Sequence, residues 1–245
     1  MPEGPSIVIL KELVKPFENK KVIAVTGNSK EDIQRIADQK IIGFKSWGKH
    51  FLICFHGFSV RIHFLLFGSY RINEEKDASP RLRLTFRKGF ISFYACSLKI
   101  IDTPLDEIYD WDADIMADEW NAKAARKKLM ASPEMLACDA LLNQNIFSGS
   151  GNIIKNEVLY RTKIHPLSII KCIPSRKLSE LIREVRNYSF DFLHWKKEYT
   201  LKKHWLAHTK KKCLRCNLPI IKEHLGKTRR RTFYCQNCQQ LYDKC

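Results

Sequence analysis

CLRCNLPIIKEHLGKTRRRTFYCQNC, residues 213–238, contains two C-x2-C pairs, Cys213/Cys216 and Cys235/Cys238, separated by 18 residues. Each pair can present two sulfurs from one tight turn, and the gap accommodates two short strands. This spacing suits a tetrahedral thiolate site holding one structural Zn2+. The competing reading is two disulfides of a secreted module, which a reducing compartment disfavours. The remaining cysteines differ: Cys54, Cys96, Cys138 and Cys172 are scattered among apolar neighbours and read as small buried hydrophobes, and Cys245 is the last residue of the sequence. Between the pairs lies GKTRRRTFYC, with three arginines on the expected hairpin. Strand side chains alternate faces, so not all three need meet one ligand.

Outward from this stretch the charge persists. Residues 196–245 carry 14 Lys/Arg against 3 Asp/Glu, and the whole 245-residue chain has a formal net charge of +17. Such a balance favours a polyanionic partner, a nucleic acid or a membrane surface, over an acidic scaffold. Hydrophobic residues at 44% exclude wholesale disorder. The most apolar run, FLICFHGFSVRIHFLLFG at 51–68, is interrupted by His56, Arg61 and His63 and is not expected to span a bilayer. MPEGPSIVIL does not read as a secretory signal. An intracellular, cytoplasmic protein without membrane association is the expectation.

The first hundred residues read as strands. VIAVTG, KIIGFKSW, HFLICFHG, SVRIHFLLFG, SYRIN, RLRLTFRKG and FISFYACSLKII are short, β-branched or aromatic, and bounded by turn residues. Seven such runs argue for a sandwich or barrel-like sheet pair. PSIVILKELVKPF before them has helical spacing, with Pro5 acceptable at a helix start. An acidic, turn-like stretch at 102–114 then reads as a linker. Beyond it EWNAKAARKKLMAS, PEMLACDALLNQ, GNIIKNEVLYRTK and the long run from Ser175 to Trp205 read as helices. The expected architecture is α+β in two main lobes, an N-terminal β-sandwich with an N-terminal helix followed by a helical lobe that ends in the cysteine hairpin. The expected boundaries are 1–112, 113–205 and 206–245.

Four features could carry chemistry. With Met1 removed, Pro2 presents a secondary amine. An α-amino group has a reference pKa of about 7.7–8.0, so a useful fraction is unprotonated near neutrality and can attack an aldehyde-level carbon. Glu3 beside it could act as general acid or base. Lys49 follows Gly48 in a turn between two apolar runs. In QNIFSGSGNII, Gly149 and Gly151 precede Asn152, which opens a helix whose free N–H groups suit a phosphate.

These motifs, in this order, resemble the formamidopyrimidine-DNA glycosylase/endonuclease VIII family: MPEGP, a GKH turn, H-x-x-L-F-G, QNIFSGSGNI, and a terminal C-x2-C…R-x-T-F-Y-C-x2-C-Q. The match spans essentially the whole chain, and the PEGP start and HFLLFG segment resemble the endonuclease VIII branch more. The resemblance implies a helix–two-turn–helix DNA-binding domain and a C-terminal zinc finger. It implies a monomeric, bifunctional DNA glycosylase/abasic-site lyase of base excision repair, acting on double-stranded DNA with damaged bases or abasic sites. Pro2 would attack the sugar C1′ and Glu3 would assist. Lys49 and Arg230 would grip phosphates beside the lesion, with Arg229 and Arg231 as alternatives to Arg230. Asn152 and His63 would contact phosphate, and Leu66, flanked by Leu65 and Phe67, would wedge into the space left by an everted nucleotide. Strand cleavage would follow β,δ-elimination, with oxidised pyrimidines as the expected bases. One departure stands out: Ser6 lies where most relatives carry glutamate. That opens the alternative of a non-catalytic or lyase-only damaged-DNA binding protein that has lost base excision.

Overall fold

A computed structural model describes residues 2–245; the expected loss of Met1 concerns a residue outside the described ones. The chain divides into two compact units, one ending at Asp110 and one running from Trp111 to Cys245.

The first unit begins with α1 (Gly4–Val14), which carries Pro in its first turn, where a missing N–H costs nothing. Its Ile7, Leu10 and Val14 recur at helical spacing and are buried. Pro16 lies in the 3-10 turn Lys15–Phe17 that follows and cannot continue a regular helix. Phe17 then packs on Phe86 at 4.7 Å between ring centroids. Six strands follow: β1 (Ala24–Thr26), β2 (Gly43–Trp47), β3 (His50–Phe55), β4 (Phe58–Ile72), β5 (Leu82–Thr85) and β6 (Phe90–Ile101). They form one antiparallel sheet of order β1-β5-β6-β4-β3-β2. The seven expected runs are thus six strands, because SVRIHFLLFG and SYRIN are one strand with an irregularity between Phe64 and Ser69.

β4 and β6 are long enough to serve both halves of the sheet. Phe58–His63 pairs with β3, and Phe90–Phe93 of β6 pairs with β5. Residues 19–23 also hydrogen-bond to residues 38–42, as in Val22 N–H to the Gln39 carbonyl at 2.9 Å, and this tie links the β1 side of the sheet to the β2 side. One apolar core gathers residues of α1 and of all six strands. β3 is buried at every position after His50, which is why its sequence is a continuous apolar run rather than an alternation. The short helix α2 (Leu105–Ile108) ends this unit.

In the second unit α3 (Ala122–Met130) is capped by Asn121, whose Oδ1 accepts from the Lys123 and Ala124 N–H groups. The helix expected over PEMLACDALLNQ is only α4 (Ala137–Ala140). After it, side chains take over the backbone's hydrogen bonds. Gln144 donates to the Leu142 and Ser150 carbonyls and accepts from Gly149 N–H, which holds the two turns before the next helix. That helix, α5 (Asn152–Thr162), ends on Lys163 in the left-handed region at φ 58. The long final run is α6 (Ser175–Lys197), which buries Leu178, Leu181, Ile182, Val185, Tyr188 and Phe192. It stops short of Trp205 because Tyr199 adopts φ 60. The hairpin is β7 (Ile221–Leu225) against β8 (Arg230–Tyr234). Among the described residues, no helix is long and apolar enough to cross a membrane.

One cysteine expectation is corrected. Cys54, Cys96 and Cys138 are buried free thiols, but Cys172 is disulfide-bonded to Cys245, with 5.0 Å between Cα atoms. A sequence separation of 73 hid this pairing. The fold brings the two together because residues 240–242 hydrogen-bond along residues 163–169, for example Ile169 N–H to the Tyr242 carbonyl at 2.8 Å.

Candidate functional site

In the first unit, Pro2 precedes α1 and is partly exposed. Glu3 occupies the helix N-cap position yet is only 3% exposed. Its carbonyl accepts the Ser6 N–H at 2.8 Å, and its side chain does not cap the helix.

Lys49 sits in the β2–β3 turn, where Gly48 adopts φ 53, and Trp47 pairs with His50 to close it. Strand pairing sets His50 directly opposite His63, with ring centroids 5.4 Å apart. Tyr109 closes the group at 5.7 Å from His50 and 5.0 Å from Trp47. Burial, followed by the charges of Arg61, His63 and Lys49, pulls the His50 pKa down to about 4. The His63 pKa is lowered by burial and then by Lys49 and Arg61. Both shifts favour the neutral imidazole at pH 7, in which one ring nitrogen carries the proton. The sequence reading named Lys49 and His63 but not His50, Arg61 or Tyr109. The GKH turn already contained His50, and Arg61 precedes His63 by the two-residue period that places strand side chains on one face. Tyr109 left no such signal.

Leu65, Leu66 and Phe67 fall in the β4 irregularity. They are 49%, 62% and 83% exposed, three consecutive large apolar side chains in water. Gly68 ends the group in a close approach, since a Cβ there would collide with Phe64 and with the Ala95 carbonyl.

In the second unit, Asn152 opens α5 and donates its Nδ2 to the Arg231 carbonyl at 2.8 Å. One expected ligand residue is thereby joined to the strand carrying another. Its Oδ1 is buried without a partner. Arg229, Arg230 and Arg231 are all exposed. Arg229 ends the turn at φ 46, and Arg230 is the first residue of β8, opposite Leu225.

The sulfurs of Cys213, Cys216, Cys235 and Cys238 lie within 4.8 Å of one another. Cys213 and Cys238 are 3.6 Å apart, Cys216 and Cys235 3.2 Å. Thiolates arranged tetrahedrally at about 2.3 Å from a zinc ion would sit about 3.8 Å apart. The donor set thus fits a four-thiolate metal centre with no position open to water.

No protein-family model matches the chain. Among curated relatives, endonuclease 8-like 2 of Mus musculus is 34% identical over 202 residues, covering 76% of this chain and 59% of the relative. Endonuclease 8-like 3 of Mus musculus is 26% identical over 212 residues, 83% of this chain and 35% of the relative. The chain thus spans between about a third and three-fifths of the length of these relatives. Among solved structures, a viral DNA glycosylase superposes with a TM-score of 0.84 at 18% identity, covering 97% of this chain and 100% of that one. Formamidopyrimidine-DNA glycosylase of Lactococcus lactis, bound non-covalently to DNA containing an AP site, gives a TM-score of 0.84 at 19% identity, covering 97% and 99%. The relatives and the shared fold agree: this chain belongs to the formamidopyrimidine-DNA glycosylase/endonuclease VIII family, with its sequence relatives on the endonuclease VIII-like side.

Proposed function

We propose that this protein is a monomeric, intracellular DNA glycosylase/abasic-site lyase acting on double-stranded DNA that carries oxidised bases, chiefly pyrimidines, or bare abasic sites. Residues 1–112, 113–205 and 206–245 are its working parts. The observation that carries the reading is Pro2 placed immediately before a buried Glu3 at the start of α1, in a chain of this family.

With Met1 removed, the Pro2 nitrogen attacks C1′ of the damaged nucleotide. The C1′–base bond breaks, the base leaves with a proton, and protonation of O4′ with Glu3 as proton carrier opens the sugar ring. The resulting iminium between Pro2 and C1′ draws electrons from the neighbouring carbon, so a 2′ proton is lost and the 3′ phosphate leaves. A second elimination expels the 5′ phosphate, and hydrolysis of the iminium frees Pro2. The product is a one-nucleotide gap with phosphate on both ends.

Lys49, His63, Asn152 and Arg230 bind the backbone phosphates. A neutral His63 serves as hydrogen-bond donor, and the two cations supply the Coulombic grip. Leu66, with Leu65 and Phe67, fills the gap left by the everted nucleotide, offsetting part of an unstacking cost of a few kcal/mol. A Zn2+ ion held by Cys213, Cys216, Cys235 and Cys238 supplies structural cross-linking of the hairpin.

Borohydride should trap a covalent adduct between the Met1-processed protein and duplex DNA holding an abasic site or thymine glycol, and N-acetylation of Pro2, which removes the nucleophilic lone pair, should abolish it. Absence of any adduct with both substrates overturns the proposal. Ser6 favours a second reading, a lyase without base excision, in which the abasic duplex traps and the thymine-glycol duplex does not.

A further inference from the structure

We propose that Asp139 is a positioning residue for Arg230, holding the turn of the arginine hairpin while Lys155 holds the strand that follows. The inference rests on the reading of Arg230 as a phosphate ligand.

Asp139 lies in α4 and is 9% exposed. Its carboxylate accepts the Lys227 N–H at 3.0 Å and the Thr228 N–H at 3.5 Å. These two backbone groups belong to the four-residue turn 226–229 that delivers Arg230. A carboxylate accepting backbone N–H groups makes charge-assisted bonds, stronger than neutral ones. The approach is also sterically specific. Gly226 adopts φ 74, and a Cβ there would run into the Asp139 carboxylate. The turn therefore closes onto Asp139 only with glycine at this position.

One residue beyond Arg230 a second anchor takes over. Lys155 is fully buried, a rare state for an ammonium group unless it is paired. Its Nζ reaches across from α5 to Thr232 Oγ1 at 2.8 Å and to the Arg231 carbonyl at 3.3 Å, the same carbonyl that Asn152 holds. Arg230 thus leaves the backbone between two clamps built from α4 and α5, and only its exposed side chain is free to find a phosphate. Cross-linking at Cys235 fixes the far end of β8, five residues away. Alone it leaves the turn end of the hairpin free to sway.

The test is a double-mutant cycle on the full-length protein with its metal content verified. Affinity is read at fixed salt for a duplex containing a tetrahydrofuran abasic-site analogue. Asp139→Ala should weaken binding about tenfold, and Asp139→Asn, which keeps an acceptor, should lose less. In an Arg230→Ala background the Asp139→Ala change should have almost no further effect. A full, additive loss in that background overturns the proposal. Gly226→Ala, which leaves the carboxylate intact but displaces the turn, should reproduce the loss if Asp139→Ala folds poorly. Amide hydrogen exchange at Lys227 and Thr228 in the free protein should quicken in Asp139→Ala, and unchanged exchange there also overturns the proposal. A wild-type protein that fails to bind the duplex refutes the DNA reading instead, and the exchange result still decides whether Asp139 holds the turn.

Discussion

His50 and His208 both carry a pKa drawn down to about 4, in each case first by burial. The secondary cause for His50 is the charge of Arg61, His63 and Lys49, and for His208 it is Lys155 and Arg231. In the unfolded chain each returns to about 6.5. Between these values the unfolded state binds more protons, so stability falls as pH drops from about 6.5 toward 4. Each histidine contributes on the order of 1–3 kcal/mol to that loss. Thermal midpoints should be level near pH 7 to 8 and fall by several degrees by pH 5. His50→Gln should flatten the profile, and an identical profile in that variant would falsify the assignment. The neutral state also matters at the candidate site. A protonated His50 beside Lys49 and Arg61 would add repulsion where the protein already gathers positive charge.

At the scale of the element, the hairpin is the piece most dependent on support from elsewhere. Two strands of five residues each are marginal on their own. The β8 end at Cys235 is tied by the cysteine cluster, and the turn end by Asp139. Removing the metal, by chelation or by Cys235→Ser, should therefore lower affinity for damaged duplex by about tenfold or more and release about one zinc per chain. Unchanged affinity after metal loss would mean that α4 and α5 alone organise the hairpin. The β4 irregularity shows the opposite economy. Leu65, Leu66 and Phe67 need no outside anchor, because flanking residues of the same strand remain paired with β6 on both sides of the break.

For the whole molecule the governing quantity is the net charge of +17. Phosphate contacts release counterions, so affinity should fall steeply with salt. With three or four such contacts the loss between about 50 and 200 mM salt should be roughly 40-fold to 150-fold, measurable by fluorescence anisotropy on a labelled duplex. Lys49→Ala and Arg230→Ala should each reduce the slope by about one unit, and a flat response would contradict the electrostatic reading.

Periodicity and punctuation settled much from the sequence alone. α1, the start of α5, the strands of the first unit and the cysteine spacing were legible because they depend on local pattern: apolar positions three and four apart in α1, glycines ahead of Asn152, β-branched runs between turn residues, and thiols paired with two residues between them. The motifs MPEGP, GKH and GSGN marked candidate residues for the same reason. What local pattern cannot carry, the tertiary structure decided. The fusion of two strand runs into β4, the shortening of α4, the Cys172–Cys245 bond and the burial of Lys155 each depend on a partner distant in sequence. Asp139 joins the turn at Lys227, 88 positions further along the chain, through backbone N–H groups that every residue but proline possesses. A carboxylate that recognises backbone leaves no signature in the residues it recognises, so only folding could reveal it.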